Sequence, residues 1–170
     1  NDLNTARGGN AGAGTSTAAI TFGGGPPQKN ETELWNGTNW TEQNNLSTAR
    51  FYLGGAGTST AGLGFGGEPG GSPTNTGATE HWTGAGAPVG AWSTGGTMNT
   101  GRGNLGSAGI YTAAIGYAGL GNQPSYTKLA LTESYNGTNW TEVNDLNTGR
   151  REIGGSAGDT NTAAIVFGGN

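Results

Sequence analysis

TAAITFGG at 17–24 returns as TAGLGFGG at 60–67, TAAIGYAG at 112–119 and TAAIVFGG at 162–169. In the first copy Ala18, Ile20 and Phe22 alternate with Ala19 and Thr21, and the later copies keep that order. Period-two alternation closed by a Gly-Gly pair predicts a short strand followed by a turn. Strands are therefore expected near 18–22, 61–65, 113–117 and 163–167.

Other stretches recur in step with this one. NDLNTAR at 1–7 returns as NDLNTGR at 144–150, with shorter versions LSTAR at 46–50 and MNTGR at 98–102. NGTNWTE stands at 36–42 and again, unchanged, at 136–142. Arg7, Arg50, Arg102 and Arg150 are separated by 43, 52 and 48 residues, and Trp40, Trp92 and Trp140 each lie ten residues before the next Arg. A period of this length is that of a propeller blade and is too long for a leucine-rich repeat.

The rest of the repeat also reads as β. Thr32-Glu33-Leu34-Trp35 and Thr38-Asn39-Trp40-Thr41 flank Asn36-Gly37, and Asn136-Gly137 repeats the arrangement. Asn-Gly between two such runs predicts a hairpin with positive φ at both turn positions. In the second repeat Trp82 to Trp92 spans ten residues instead of five, an insertion in this hairpin. The run of small residues after each Arg, such as Gly8–Gly14, reads in isolation as a loop. Where strands converge, bulky side chains collide, so the run is assigned as an innermost strand. Four strands per repeat result, with blades at about 1–43, 44–95 and 96–143 and half a blade at 144–170, in one repeat domain over 1–170.

Composition alone would point elsewhere. Gly supplies 37 of 170 residues and Pro 6, a bias typical of disordered segments. The net charge is only −4, however, and the glycines recur in register with aromatics, so the chain reads as folded. Seven Lys and Arg against 11 Asp and Glu leave no basic stripe for nucleic acid. No apolar run approaches the length needed for membrane insertion. With no Cys there are no disulfides, thiolates or Cys-based zinc sites. The one His, His81, has no flanking motif that would orient it as a base, and its counterparts Leu34 and Ser134 show that the repeat does not require it. No catalytic residue, metal site or cofactor is expected.

These residues resemble the kelch repeat, in which an aliphatic-aromatic strand ends in Gly-Gly and is followed by a Tyr or Trp and then by a second Trp. The matching positions are Phe22-Gly23-Gly24, Trp35 and Trp40; Phe65-Gly66-Gly67, Trp82 and Trp92; Tyr117, Tyr135 and Trp140; and Phe167-Gly168-Gly169. Ala118 departs from the pattern, standing where the first Gly belongs. The resemblance spans essentially the whole chain and implies an all-β, kelch-type β-propeller of four-stranded blades, about three and a half of them. The Gly-, Thr- and Asn-rich flavour is also similar to repeats in structural proteins of tailed phages, marine ones especially. Kelch propellers include copper-radical oxidases of the galactose oxidase kind, but those need Cys and several His ligands that this chain lacks.

The repeat brings its own candidate residues. Glu33, Glu80 and Glu133 each follow a Thr and stand two residues before the first hairpin aromatic. With Arg7, Arg50, Arg102 and Arg150 they read as structural Arg–Glu pairs bridging strands or blades, or else as a ring of carboxylates for a cation or sugar. The triplets at Asn30, Asn36, Asn39, Asn45, Asn136 and Asn139 match glycosylation acceptors and are also turn chemistry. Three and a half repeats leave sheet edges, so the residues are expected to be an excerpt of a longer propeller or one of two copies closing a ring. The expected function is a non-catalytic structural or attachment module of a virion tail or fibre, or of an extracellular assembly, contacting surface glycans. An intracellular kelch scaffold recruiting a protein partner is the alternative. The insertion between Trp82 and Trp92 and the Gly- and Pro-rich connection at 67–77 are the candidate binding loops.

Overall fold

In an extended chain Ile20 points to the opposite side from Ala19 and Thr21, yet Ile20, Thr21 and Phe22 are all buried, so both faces of this strand are covered. The computed structural model, which describes residues 1–70, 74–84, 90–153 and 155–170, shows how. The first repeat forms β1 (Ala11–Thr15), β2 (Ala18–Phe22), β3 (Thr32–Trp35) and β4 (Trp40–Gln43), an antiparallel sheet in chain order. The second contributes β5 (Arg50–Phe51), β6 (Gly54–Gly57), β7 (Ala61–Phe65), β8 (Glu68–Pro69), β9 (Thr79–Thr83) and β10 (Ala91–Thr94). Here β6, β7, β9 and β10 build the four-stranded sheet, and β5 pairs separately with β8. The third repeat forms β11 (Gly106–Ile110), β12 (Ala113–Tyr117), β13 (Thr132–Tyr135) and β14 (Trp140–Glu142), again in chain order. The fourth forms the pair β15 (Gly155–Thr160) and β16 (Ala163–Phe167). The chain is all-β, built of several antiparallel four-stranded sheets. Among the described residues no helix is long and apolar enough to cross a membrane.

The small-residue runs are strands: β1, β6, β11 and β15 each pair with the Ala-Ile-Phe strand of the same repeat. The hairpin turn differs from expectation. Trp35 pairs with Trp40 and Tyr135 with Trp140, so each loop has four residues instead of two. Only Gly37 and Gly137 have positive φ, at 93° and 95°. The preceding Asn works through its side chain: Asn36 Oδ1 accepts the N–H groups of Thr38 and Asn39, both at 2.9 Å, and Asn136 Oδ1 does the same for Thr138 and Asn139. An Asx turn thus replaces the expected two-residue turn.

The sheets interlock by one repeated device. Trp92 on β10 packs edge-on against Phe22 of the first sheet, ring centroids 4.8 Å apart, and donates its indole N–H to Thr32 Oγ1 at 3.0 Å. Trp140 on β14 treats the second sheet alike, 4.7 Å from Phe65 and 3.0 Å from Thr79 Oγ1. The Phe ring needs room on the following sheet. A Cβ on Gly64 would lie 2.8 Å from the Phe22 ring, and one on Gly116 2.9 Å from the Phe65 ring. Glycine is required at both by this close approach. Trp40, the equivalent in the first sheet, is only half-buried and leans on Trp35 at 5.4 Å. Two cores result. Ile20, Phe22, Leu46, Leu53 and Trp82 belong to the first, and Leu63, Phe65, Met98, Tyr135 and Trp140 to the second.

Candidate functional site

The repeated Arg and Glu meet within each repeat. Arg7 Nη2 lies 2.7 Å from Glu33 Oε1, Arg50 Nη2 2.8 Å from Glu80 Oε1, and Arg102 Nη1 2.8 Å from Glu133 Oε1. The other carboxylate oxygen accepts the N–H three residues before the Arg: Asn4 at 2.8 Å, Ser47 at 2.9 Å and Asn99 at 2.7 Å. Arg50 also donates to the Gly66 and Ala78 carbonyls, and Arg102 to that of Gly116. These side chains are 0–5% exposed. Each buried carboxylate is thus occupied by the Arg and by the main chain of the segment that leads into its own sheet. Burial pushes the Arg50 and Arg102 guanidiniums below their ordinary values, opposed by Glu80 and Glu133.

A different position, two residues after each Arg, opens onto a cavity in the second, third and fourth repeats. Gly9, Tyr52, Asn104 and Glu152 all have left-handed backbone, with φ of 62°, 57°, 53° and 52°. Their main chains form a ladder between repeats. Tyr52 N–H donates to Gly9 O at 2.7 Å, Asn104 N–H to Tyr52 O at 2.9 Å, and Glu152 N–H to Asn104 O at 3.3 Å. Gly adopts this conformation freely, whereas Tyr and Glu are strained in it.

The side chains of Tyr52, Asn104 and Glu152 line a cavity of about 300 Å³ together with Glu68, Asn75, Leu120, Tyr126 and Arg151. Tyr126 is also left-handed, at φ 43°. Four of the five described non-glycine residues with positive φ therefore line one cavity. Tyr52 and Tyr126 remain 40% and 41% exposed. Arg151 Nε stands 3.6 Å from Glu152 Oε1. Asn75 fastens the connection after β8 to the third repeat, donating through Nδ2 to the Leu120 and Gly121 carbonyls at 2.9 and 3.1 Å. Two phenol rings, two amides, two carboxylates and one guanidinium thus face a shared space. They offer flat apolar surface and both donors and acceptors, a set suited to a polyhydroxylated ligand.

His81 lies away from this cavity. Its Nε2 is 2.7 Å from Tyr135 Oη, and its ring meets Tyr111 edge-on at 5.9 Å. It is a packing residue between the second and third sheets. Burial lowers its pKa from the ordinary 6.5. The unfolded chain then binds the proton more readily than the folded one. Stability should hold above pH 6.5 and fall as the pH drops from there through the folded value. Melting temperatures between about pH 7.5 and 5.5 should show this slope, and His81→Gln should flatten it.

Of the expected binding loops, the connection at 67–77 supplies Glu68 and Asn75 to the cavity, while residues 71–73 and the inserted 85–89 lie outside the described residues. Tyr52, Tyr126 and Asn104 carried no motif. The usable signal was the position two after each Arg, where Gly, Tyr, Asn and Glu succeed one another while their surroundings repeat. Among the described residues no three His, Cys, Asp or Glu side chains converge as metal ligands. No protein-family model matches the chain, and a search of curated proteins finds no match.

Proposed function

We propose that the chain is a non-catalytic structural and attachment module of a virion or extracellular assembly, and that it contacts surface glycans through the cavity around Tyr52. In this reading the sheets are blades of a kelch-type propeller. Their shared strand order, the small-residue strands and the Trp-into-Phe interlock support that architecture. Ser107 Oγ, for example, donates to Gly55 O at 2.8 Å and accepts from Gly55 N–H at 3.2 Å, joining β11 to β6 across two sheets.

The observation that carries the binding reading is the clustering of left-handed non-glycine residues around one cavity. Backbone strain of this kind costs about 1–3 kcal/mol per residue, and it gathers where function rewards the side chain. Gly9 shows that the ladder itself needs no side chain at all. Tyr52→Gly is therefore expected to keep stability or raise it by up to about 1 kcal/mol. The same change should weaken binding to neutral oligosaccharides at least tenfold in titration calorimetry. Lower stability with unchanged binding would make Tyr52 a packing residue and remove the cavity as the glycan site. Release of shorter sugars from a bound oligosaccharide would overturn the non-catalytic reading.

A further inference from the structure

The cavity around Tyr52 carries a charge that the fold does not call for. Tyr52, Glu68 and Asn75 all come from the second repeat, where β5 pairs with β8 and sets Phe51 opposite Glu68. The equivalent bridge joins Gly8 to Gly25 in the first repeat and Gly103 to Leu120 in the third. Glycine or leucine thus serves where Glu68 stands, and the main-chain pairing needs no carboxylate there. Among the described residues the Glu68 carboxylate has no hydrogen bond and no ion pair, although Glu68 is only partly exposed. A half-buried carboxylate without a partner gives up hydration for nothing the fold returns.

The neighbouring groups lean the same way. Glu152 and Arg151, the other lining carboxylate and the lining guanidinium, stand 3.6 Å apart and offset one another. The charge left over is the negative one on Glu68. Asn75 donates through Nδ2 to the Leu120 and Gly121 carbonyls, so what its amide has left to offer is the acceptor Oδ1. Tyr52 supplies a ring held in place from behind. The Phe51 ring lies 4.1 Å from it, centroid to centroid, and a Cβ on Gly9 would come within 3.0 Å of it. A negative charge, a spare acceptor and an electron-rich ring face together suit a cationic donor.

Resting on the glycan reading of this cavity, we infer that the sugar it takes carries a free primary ammonium, as a deacetylated amino sugar does. Glu68 and Asn75 Oδ1 accept the N–H groups of the ammonium, and the Tyr52 ring packs on the C–H face of the sugar. A volume of about 300 Å³ is at the lower end for ligand pockets, so the recognised unit is a small part of a longer glycan. An N-acetylated sugar brings a neutral amide with one N–H and leaves Glu68 uncompensated. An acidic sugar meets like charge.

Matching linear tetramers of glucosamine, N-acetylglucosamine and glucose test this in titration calorimetry at low ionic strength. The glucosamine tetramer should bind about tenfold or more tightly than the other two, and the margin should shrink as salt is added. Glu68→Gln, which keeps the shape of the side chain, should abolish the margin. Glu42→Gln removes an exposed charge on β4, outside the cavity, and should preserve it. Tyr52→Gly should weaken all three tetramers. Tetramers that bind equally, and all weaken in Tyr52→Gly, overturn the ammonium preference and leave the glycan reading standing. A preference untouched by Glu68→Gln, or lost equally in Glu42→Gln, is general attraction of a polycation to a chain of net charge −4 and overturns it too. Absence of binding by any tetramer overturns both readings. The ranking on the parent chain and the weakening in Tyr52→Gly decide the matter should Glu68→Gln fail to fold.

Discussion

Arg50→Ala is expected to lower the unfolding free energy by about 3–5 kcal/mol, the cost of leaving one member of a buried charge pair alone. Arg50 is wholly buried, lies 2.8 Å from Glu80 Oε1, and satisfies the Gly66 and Ala78 carbonyls besides. Removing it leaves the buried Glu80 without its counter-charge and takes a donor from the Gly66 carbonyl, while Ala78 O keeps the Gly66 N–H. Urea denaturation should show a lower midpoint with an unchanged slope, since the surface exposed on unfolding is the same. Arg50→Lys keeps the charge but cannot reproduce the planar fork, so its loss should fall between parent and alanine. Arg150→Ala is the internal control. Among the described residues its guanidinium meets one carbonyl and no carboxylate, and it should cost under about 1 kcal/mol. Equal losses at the two sites would mean that the pair with Glu80 does not hold the fold.

Trp140→Ala should be comparably severe, about 3–5 kcal/mol. The ring is 5% exposed and sits between Phe65 of the preceding sheet and Tyr135 of its own, at 4.7 and 4.9 Å. Its loss opens a cavity between two sheets and removes the bond to Thr79 Oγ1. Trp140→Phe should retain most of the packing and lose about 1 kcal/mol for the missing hydrogen bond. Trp40→Ala gives the contrast, because Trp40 is half-buried and its described ring partner is Trp35 of its own sheet. Guanidinium titrations that ranked Trp40→Ala as equal to Trp140→Ala would refute the interlock as the source of stability between sheets.

The strands were legible because their signal is local. Ala18-Ala19-Ile20-Thr21-Phe22 carries its period within five residues, and β2 occupies those positions. The small-residue strands were legible only through the repeat. Nothing in Gly54-Gly55-Ala56-Gly57 favours a strand on its own, and its pairing depends on the Phe65 side of the sheet. The Asn-Gly turn was misjudged in length because side-chain capping by Asn36 competes with the two-residue geometry. The Arg–Glu series could be read as matched positions, but not as pairs. Contacts across 26–31 residues leave no local trace. The cavity was hidden for a further reason. Its residues come from separate repeats at positions the repeat does not fix, and their shared left-handed backbone is a property of φ that Tyr52 and Glu152 do not advertise.

Main-chain atoms alone carry the ladder through Gly9, Tyr52, Asn104 and Glu152. That position behaves as a variable slot in a constant frame. Any residue but Pro, which has no N–H to give, can keep the rungs on either side, because the side chain takes no part in them. Recognition could therefore diverge by single substitutions at one site per repeat without a compensating change elsewhere. A library randomised at positions 52, 104 and 152 would permute the cavity's chemistry while the scaffold stayed the same. The size of that alphabet has a limit set by the frame's own stability, since each non-glycine letter adds about 1–2 kcal/mol of left-handed strain.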